Sequence, residues 1–260
     1  MAAPPGLRVA ARGVTDVGQK RDHNEDAFLI DEELALFVVA DGMGGHAGGG
    51  TASRLAVETI RSQVRSARER APETFGTGAG IEDSKLPDVL REAVEKACAV
   101  IFDTAQTDPD LAGMGTTVTA ALVDGPTAFV AHVGDSRCYL LRAGRIYQVS
   151  EDHSLVNEQL KAGAISIDEA RHSRFRNIIT RSVGFEHEVQ VDLMGLEVEA
   201  GDALVVCCDG LSNLVEDDEI LRIVEAAPLS EAPERLVALA NDRGGDDNIT
   251  AIVVRVAEKT

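Results

Sequence analysis

The 260-residue sequence predicts an α+β fold in which mainly antiparallel sheets are flanked by helices. Three observations carry this expectation. Segments rich in β-branched residues and bounded by Gly or Asp come in consecutive runs. Helical segments come in pairs rather than alternating with strands, which argues against a doubly wound parallel sheet. Asp124-Gly125 forms a hairpin turn between two of the strongest strands.

The elements follow in order. Residues 7–14 and 27–30 are weaker strands, and 34–40 is a continuous apolar run that stops at Asp41. In 51–64, Ala52, Leu55, Ala56 and Ile60 fall on one face of a helix. The Gly-rich polar stretch 73–85 is a loop. Residues 86–101 repeat the helical stripe with Leu86, Val89, Leu90, Ala93, Val94, Ala97 and Ile101. Strands are expected at 116–123 and 127–133, with a weaker one at 137–141. Residues 154–175 are mixed and partly helical, and read as an insertion over a surface. A weak strand at 189–193 and a strong one at 203–208 precede helices at 216–226 and 233–242. The first of these carries acids in its first turn, as the helix dipole favours. The strand 249–256 closes the chain. Composition does not shift along the sequence, so one domain is expected.

The formal net charge is −19, from 44 acidic against 25 basic residues. Such a surface disfavours nucleic acid and anionic membranes, whose partners are normally rich in Lys and Arg. The main reading is a solvated acidic surface; the sharper one is that some acids are metal ligands. The four cysteines, Cys98, Cys138, Cys207 and Cys208, have no zinc spacing. They read as small reduced hydrophobes, with Cys207 and Cys208 on opposite faces of a strand. No signal-peptide pattern and no apolar run of about 20 residues is present. A cytoplasmic, soluble protein is expected.

Acidic motifs sit at strand ends. Asp41 and Asp209 close apolar strands and precede Gly42 and Gly210. Asp135 lies in Gly134-Asp135-Ser136, Asp247 precedes the last strand, and Asn24-Glu25-Asp26 precedes a short one. Alone, each is an ordinary turn. Together they point to carboxylates converging at strand ends of one core, where they repel unless a cation sits between them. An oxygen-only donor set suits Mg2+ or Mn2+. The run from Asp41 to Ala47 contains Gly-x-Gly-x-x-Ala, a dinucleotide-binding pattern. It is set aside because Asp41 would face the pyrophosphate and no acid-tipped strand follows. Arg21, just before the Asn-Glu-Asp cluster, is a candidate for bidentate phosphate binding.

With these motifs in view, the chain resembles the PPM family, the type-2C metal-dependent protein phosphatases, in its bacterial single-domain form. The matching motifs are Arg21-Asp-His-Asn24-Glu25-Asp26, Asp41-Gly42-Met-Gly-Gly-His46, Gly115-Thr116-Thr117, Val133-Gly134-Asp135-Ser136-Arg137, Cys208-Asp209-Gly210-Leu211 and Gly245-Asp-Asp247-Asn248-Ile-Thr250. The resemblance implies two packed antiparallel β-sheets flanked by pairs of α-helices. It implies that Asp41 bridges two metals, that Asp209 and Asp247 complete the first site, and that the Gly42 carbonyl binds the second. Glu25 and Asp26 would act through bound waters, and Asp135, with Asp209, would hold a third ion. Two core Mn2+ or Mg2+ ions, and a third, are therefore expected. Arg21 would hold the substrate phosphate, and residues 154–182 would form a mobile flap. Some relatives carry His directly after Asp-Gly as general acid. Here that position is Met43, which leaves His46 as candidate acid or as part of a structural glycine loop.

The implied activity is direct hydrolysis of phosphoserine or phosphothreonine in proteins, without a covalent enzyme intermediate. The implied partners are phosphoproteins, a cognate serine/threonine kinase or its targets, met by a monomer. Two other readings stay open. One is a different two-metal hydrolase such as a phosphodiesterase. The other is a decayed, non-catalytic binding module.

Overall fold

The computed structural model describes residues 6–44, 48–171 and 173–259. Its first strands are β1 (Leu7–Asp16), β2 (Ala27–Asp31), β3 (Leu36–Ala40) and the two-residue β4 (Gly42–Met43), followed by helices α1 (Gly48–Arg70) and α2 (Leu86–Thr107). Next come β5 (Gly115–Thr116), β6 (Val118–Asp124), β7 (Thr127–Val133), β8 (Arg137–Arg142) and β9 (Arg145–Gln148). Two short helices follow, α3 (Leu155–Lys161) and α4 (Ile167–Arg171), before β10 (Asp192–Glu197) and β11 (Ala203–Cys207). The chain ends through α5 (Asp209–Ser212), α6 (Asp217–Ala226), α7 (Ala232–Asp242) and β12 (Ile249–Glu258).

The strands make two five-stranded sheets, ordered β1-β12-β11-β8-β9 and β10-β7-β6-β3-β2, and all their pairings are antiparallel. The side-chain period of two explains how they stack. On β3, Leu36 and Val38 face Ile60 of α1 and Leu90 and Ile101 of α2. Phe37 and Val39 point the other way and meet Leu204, Val206, Ile252 and Val254 of the opposite sheet. On β11, Val205 and Cys207 face Ile220 of α6 and Leu236 of α7. Both sheets are thus buried on two faces, which is why β3, β6, β7 and β11 read as unbroken apolar runs. Helix pair, sheet, sheet and helix pair form four layers, the expected fold class. Cys207 and Cys208 do fall on opposite faces.

Some boundaries differ from expectation for physical reasons. The strand expected at 116–123 is split, because Thr117 leaves the ladder to hold Asp41 (below). The strand expected at 189–193 lies instead at Asp192–Glu197. Val189 and Val191 pack against the helix-side core, and Gly195 pairs with Phe129 under Ile81. β9 is a four-residue edge hairpin arm, mostly exposed, in which Ile146 packs on the core, so it carries too short a pattern to read as a strand. Among the described residues, no helix is long and apolar enough to cross a membrane.

Candidate active site

The expected carboxylates converge where strands of both sheets end. Asp41 follows β3, whose five residues are all buried. Its backbone is clamped by the Gly115-Thr116-Thr117 turn. The Asp41 N–H donates to Thr117 Oγ1 at 3.0 Å, and its carbonyl accepts from Thr117 N (2.8 Å) and Thr116 Oγ1 (2.8 Å). Thr117 Oγ1 also meets Ser136 Oγ at 2.8 Å. One hydroxyl therefore ties the Asp41 segment to the Gly134-Asp135-Ser136 turn.

Asp26 arrives from the loop before β2. Its Oδ2 accepts from Thr250 Oγ1 at 2.6 Å. Asn248 fastens that loop: its Oδ1 accepts from Glu25 N (2.8 Å), and its Nδ2 donates to the carbonyls of Val17 and His23. Asp209 follows β11 and opens α5, so its backbone turns at the strand end. Asp247 precedes β12, and its Oδ2 accepts from Arg21 Nη2 at 2.7 Å. Asp135 follows Gly134, whose φ of +112° is accessible chiefly to glycine; a methyl there would lie 2.5 Å from Thr117 Cγ2. Gly42 is equally constrained. A methyl on it would lie 2.2 Å from the Gly49 carbonyl and 2.4 Å from that of Glu25.

The electrostatics are those of charges forced together. Asp26, Asp41, Asp209 and Asp247 are each only partly exposed. Burial pushes the Asp26 carboxyl up to about 7, helped by Asp209 and Asp247. Burial pushes Asp135 to about 8, with Asp209 and Asp152 adding to it. Asp41 lies well above the carboxylate range, first from burial and then from Asp26, Asp209, Asp135 and Asp247. Burial, then Asp247, raises Asp209. Asp209 raises the cost of charge on Asp41, as like charges crowded in one site do. Asp26 Oδ1 is fully buried with no hydrogen-bond partner. An orphaned carboxylate oxygen among like charges is the pattern a divalent cation resolves, so the donor set fits Mg2+ or Mn2+.

Nearly every expected site residue thus belongs to one constellation. Asp26, Asp41, Asp135, Asp209 and Asp247 interact directly, Glu25 and Gly42 pack at its edge, and Arg21 sits on Asp247. His46 lies outside the described residues. Cys208 is the member that sequence reasoning treated only as a hydrophobe. Its Sγ lies within 4.8 Å of ligand atoms of Asp26 and Asp41, accepts from Thr250 N at 3.0 Å and is fully buried. Its position immediately before Asp209, at a strand end, is the signal that could have placed it there.

Residues 154–182 leave this centre and return to it. Leu155 N donates to the Ile178 carbonyl and Thr180 N to that of His153, closing the base of the excursion. His153 Nδ1 accepts from Gly134 N at 3.0 Å, beside Asp135, and its Nε2 meets Asp192 at 3.1 Å. Arg137 grips Asp152 through two nitrogens, at 2.9 and 2.6 Å. On the return side, Thr116 and Val183 exchange backbone hydrogen bonds. Both ends are therefore pinned to segments that carry site residues.

The family model for protein phosphatase 2C matches residues 17–251 of this chain. The chain belongs to the protein phosphatase 2C family. It is 40% identical over 244 residues to a putative protein phosphatase 2C-type protein of Streptococcus pyogenes, covering 92% of this chain and 94% of that one. The crystal structure of the serine/threonine phosphatase Stp1 from Staphylococcus aureus superposes with a TM-score of 0.86 at 32% identity, covering 98% of each chain. The catalytic domain of the phosphatase PstP, crystallised with two manganese ions, gives a TM-score of 0.82 at 35% identity, covering 98% of this chain and 100% of that one. As a phosphatase 2C chain, its Thr117, Ser136, Asn248 and Thr250 acquire a reading that motif matching alone did not supply. They are the neutral hydrogen-bonding groups that hold the acids in place.

Proposed function

We propose that this chain hydrolyses phosphoserine and phosphothreonine in proteins, in a metal-dependent reaction with direct attack by water. The observation that carries the proposal is the convergence of Asp41, Asp209, Asp247, Asp26 and Asp135 around a buried, unpartnered carboxylate oxygen. Asp41, the Gly42 carbonyl, Asp209 and Asp247 would hold two ions, Mn2+ or Mg2+. Asp135 and Asp209 would hold a third, with Glu25 and Asp26 acting through waters. When bound, such ions supply a water of lowered pKa and neutralise charge on the phosphoryl oxygens.

The protein's own groups do the rest. Thr116 and Thr117 fix the Asp41 backbone, so its carboxylate direction is set before substrate arrives. Arg21 stands half-exposed at the rim, with its guanidinium parked on Asp247. Turning it toward a phosphate would exchange one charge-assisted contact for a bidentate one. Met43 cannot donate a proton to the leaving alkoxide, and His46 or a water held by the ions would be the candidate for that task.

Residues 8–256 act as one catalytic unit in this reading, with 154–182 as its flap. The substrates are phosphoproteins, in particular a serine/threonine kinase or its targets, met by a monomer in the cytoplasm. The four free, buried cysteines accord with a reducing compartment.

The test is phosphate release from a phosphothreonine peptide with and without Mn2+, beside Asp209→Asn. Release that needs the metal and vanishes in the variant is expected. A wild type that binds Mn2+ tightly yet releases no phosphate would return the chain to the binding-module reading.

A further inference from the structure

Exposed apolar side chains are not spread evenly over this molecule. Of the six large ones among the described residues, Ile167, Phe175, Ile178 and Phe185 lie on or just after the 154–182 excursion. Phe185 is 65% exposed. It overhangs a pocket of about 450 Å³ whose apolar wall is Met43, Ile179, Phe185 and Val189.

The place of this pocket is what gives it meaning. Met43 directly follows Gly42, one residue beyond Asp41, and pairs with Gly115 across the β4–β5 ladder. A methyl on Gly115 would lie 3.6 Å from Ser182 Oγ and 3.8 Å from Met43 Cγ, so the two walls meet over that glycine. The opposite wall is pinned to the same turn through Thr116 and Val183. The pocket therefore opens beside the carboxylate centre and is anchored to the residues that orient Asp41. Arg181, the cation on its wall, is committed to Asp192 at 2.6 Å and is not free to hold an anion.

An extended polypeptide advances about 3.3–3.6 Å per residue. A phosphorylated residue held at the carboxylate centre must place its neighbours on the surfaces next to it. We infer that the Met43–Phe185 pocket is a substrate subsite that receives a large apolar side chain close in sequence to the phosphorylated residue. This rests on the phosphatase reading. It makes Phe185, Ile179 and Val189 specificity-determining residues, distinct from the groups that carry the chemistry. Met43 has a corresponding role: where some relatives carry an imidazole after Asp-Gly, this chain has a flexible apolar side chain suited to irregular partners.

The experiment is a positional scan. A phosphothreonine peptide in a Gly/Ser background receives a single Leu at each of the three positions on either side. Each peptide is assayed for kcat/KM with Mn2+, beside p-nitrophenyl phosphate. One position should gain about 10-fold from Leu, the low end of what a filled apolar subsite contributes. Phe185→Ser should abolish that gain while leaving p-nitrophenyl phosphate and the Leu-free peptide unchanged. Because Phe185 is exposed, the variant should melt with the wild type. A flat profile in an enzyme that turns over p-nitrophenyl phosphate would overturn the subsite alone, as would a Leu preference that survives in Phe185→Ser. Failure to hydrolyse any of these substrates would overturn the phosphatase reading and the subsite with it.

Discussion

The carboxylate centre and the 154–182 excursion touch one another and are built on opposite principles. Asp41 and Asp209 follow strands whose residues are all buried, and Thr117 clamps the backbone of Asp41, Asn248 that of Glu25 and Thr250 the side chain of Asp26. The excursion has two helices of seven and five residues, no buried residue in the first, and apolar side chains turned to water. Repelling carboxylates need a scaffold stiff enough to hold them together without their cation. A surface that reads varied polypeptides gains from having little packing of its own to disturb. In the proposed reading, chemistry sits on the rigid part and recognition on the soft part, joined at Gly134 and Thr116.

The contrast is broken most sharply by Asp209→Asn. Activity should fall at least about 100-fold, the upper edge of what an outer-shell change at a metal site costs. The same variant, freed of metal by chelation, should melt at or above the wild type, because one of the crowded charges is gone. A metal-free variant that melts well below the wild type would mean that these acids are not under mutual strain.

Metal removal comes next. Ions at about 100 times their Kd stabilise by about 2.7 kcal/mol, or roughly 5–10 °C in a domain of this size. The pH dependence of the metal-free protein has a definite sign. The folded values of Asp26 and Asp135, about 7 and about 8, lie above the ordinary 3.8. The fold therefore favours their protonated forms. That stabilisation is complete below about pH 4 and is lost as pH rises through 7 to 8. Thermal melts in chelator should fall across that window, and saturating Mn2+ should remove the decline. A flat metal-free profile would contradict the crowding.

A smaller effect is expected at the clamp. Thr117→Val keeps the shape but removes the hydroxyl that serves Asp41 and Ser136. Mn2+ affinity should drop about 10-fold, measurable by calorimetry without any turnover. Smallest of all is Ile167→Ser, on the excursion, which should shift stability by no more than about 0.5 kcal/mol in denaturant melts. A larger loss there would show that the excursion is packed more like the scaffold than its exposure indicates.

These two parts were not equally legible in the sequence. The strands that carry acids announced themselves, because sheets buried on both faces leave unbroken apolar runs and an acid at the end of such a run is conspicuous. The acids themselves, Gly42 and Arg21 were all visible as motifs. The clamps were not. Thr117 reads as one more β-branched strand residue until its partner Ser136, nineteen positions away, is in place. Cys208 reads as core because it is core; only its neighbours make it part of the centre. The strand at Asp192–Glu197 was misplaced because its own residues, with a glycine in the middle, barely favour a strand and pairing with β7 decides the matter.

The longest pairing in the molecule joins its first strand to its last: Leu7 lies opposite Glu258, and the ladder runs unbroken to Asp16 opposite Ile249. Asp247 and Asn248 sit at the end of that ladder, and Asn248 secures the loop that carries Glu25. A growing chain therefore cannot finish its site domain-fashion from the N-terminus, because the partner of the first strand is made last. On the ribosome, the half in which α1 and α2 cover β3, β6 and β7 can collapse early, while the acids of residues 25 and 26 wait for a fastener more than two hundred residues downstream. Such a nascent chain has no assembled reaction centre, so the enzyme would be silent until synthesis is nearly complete.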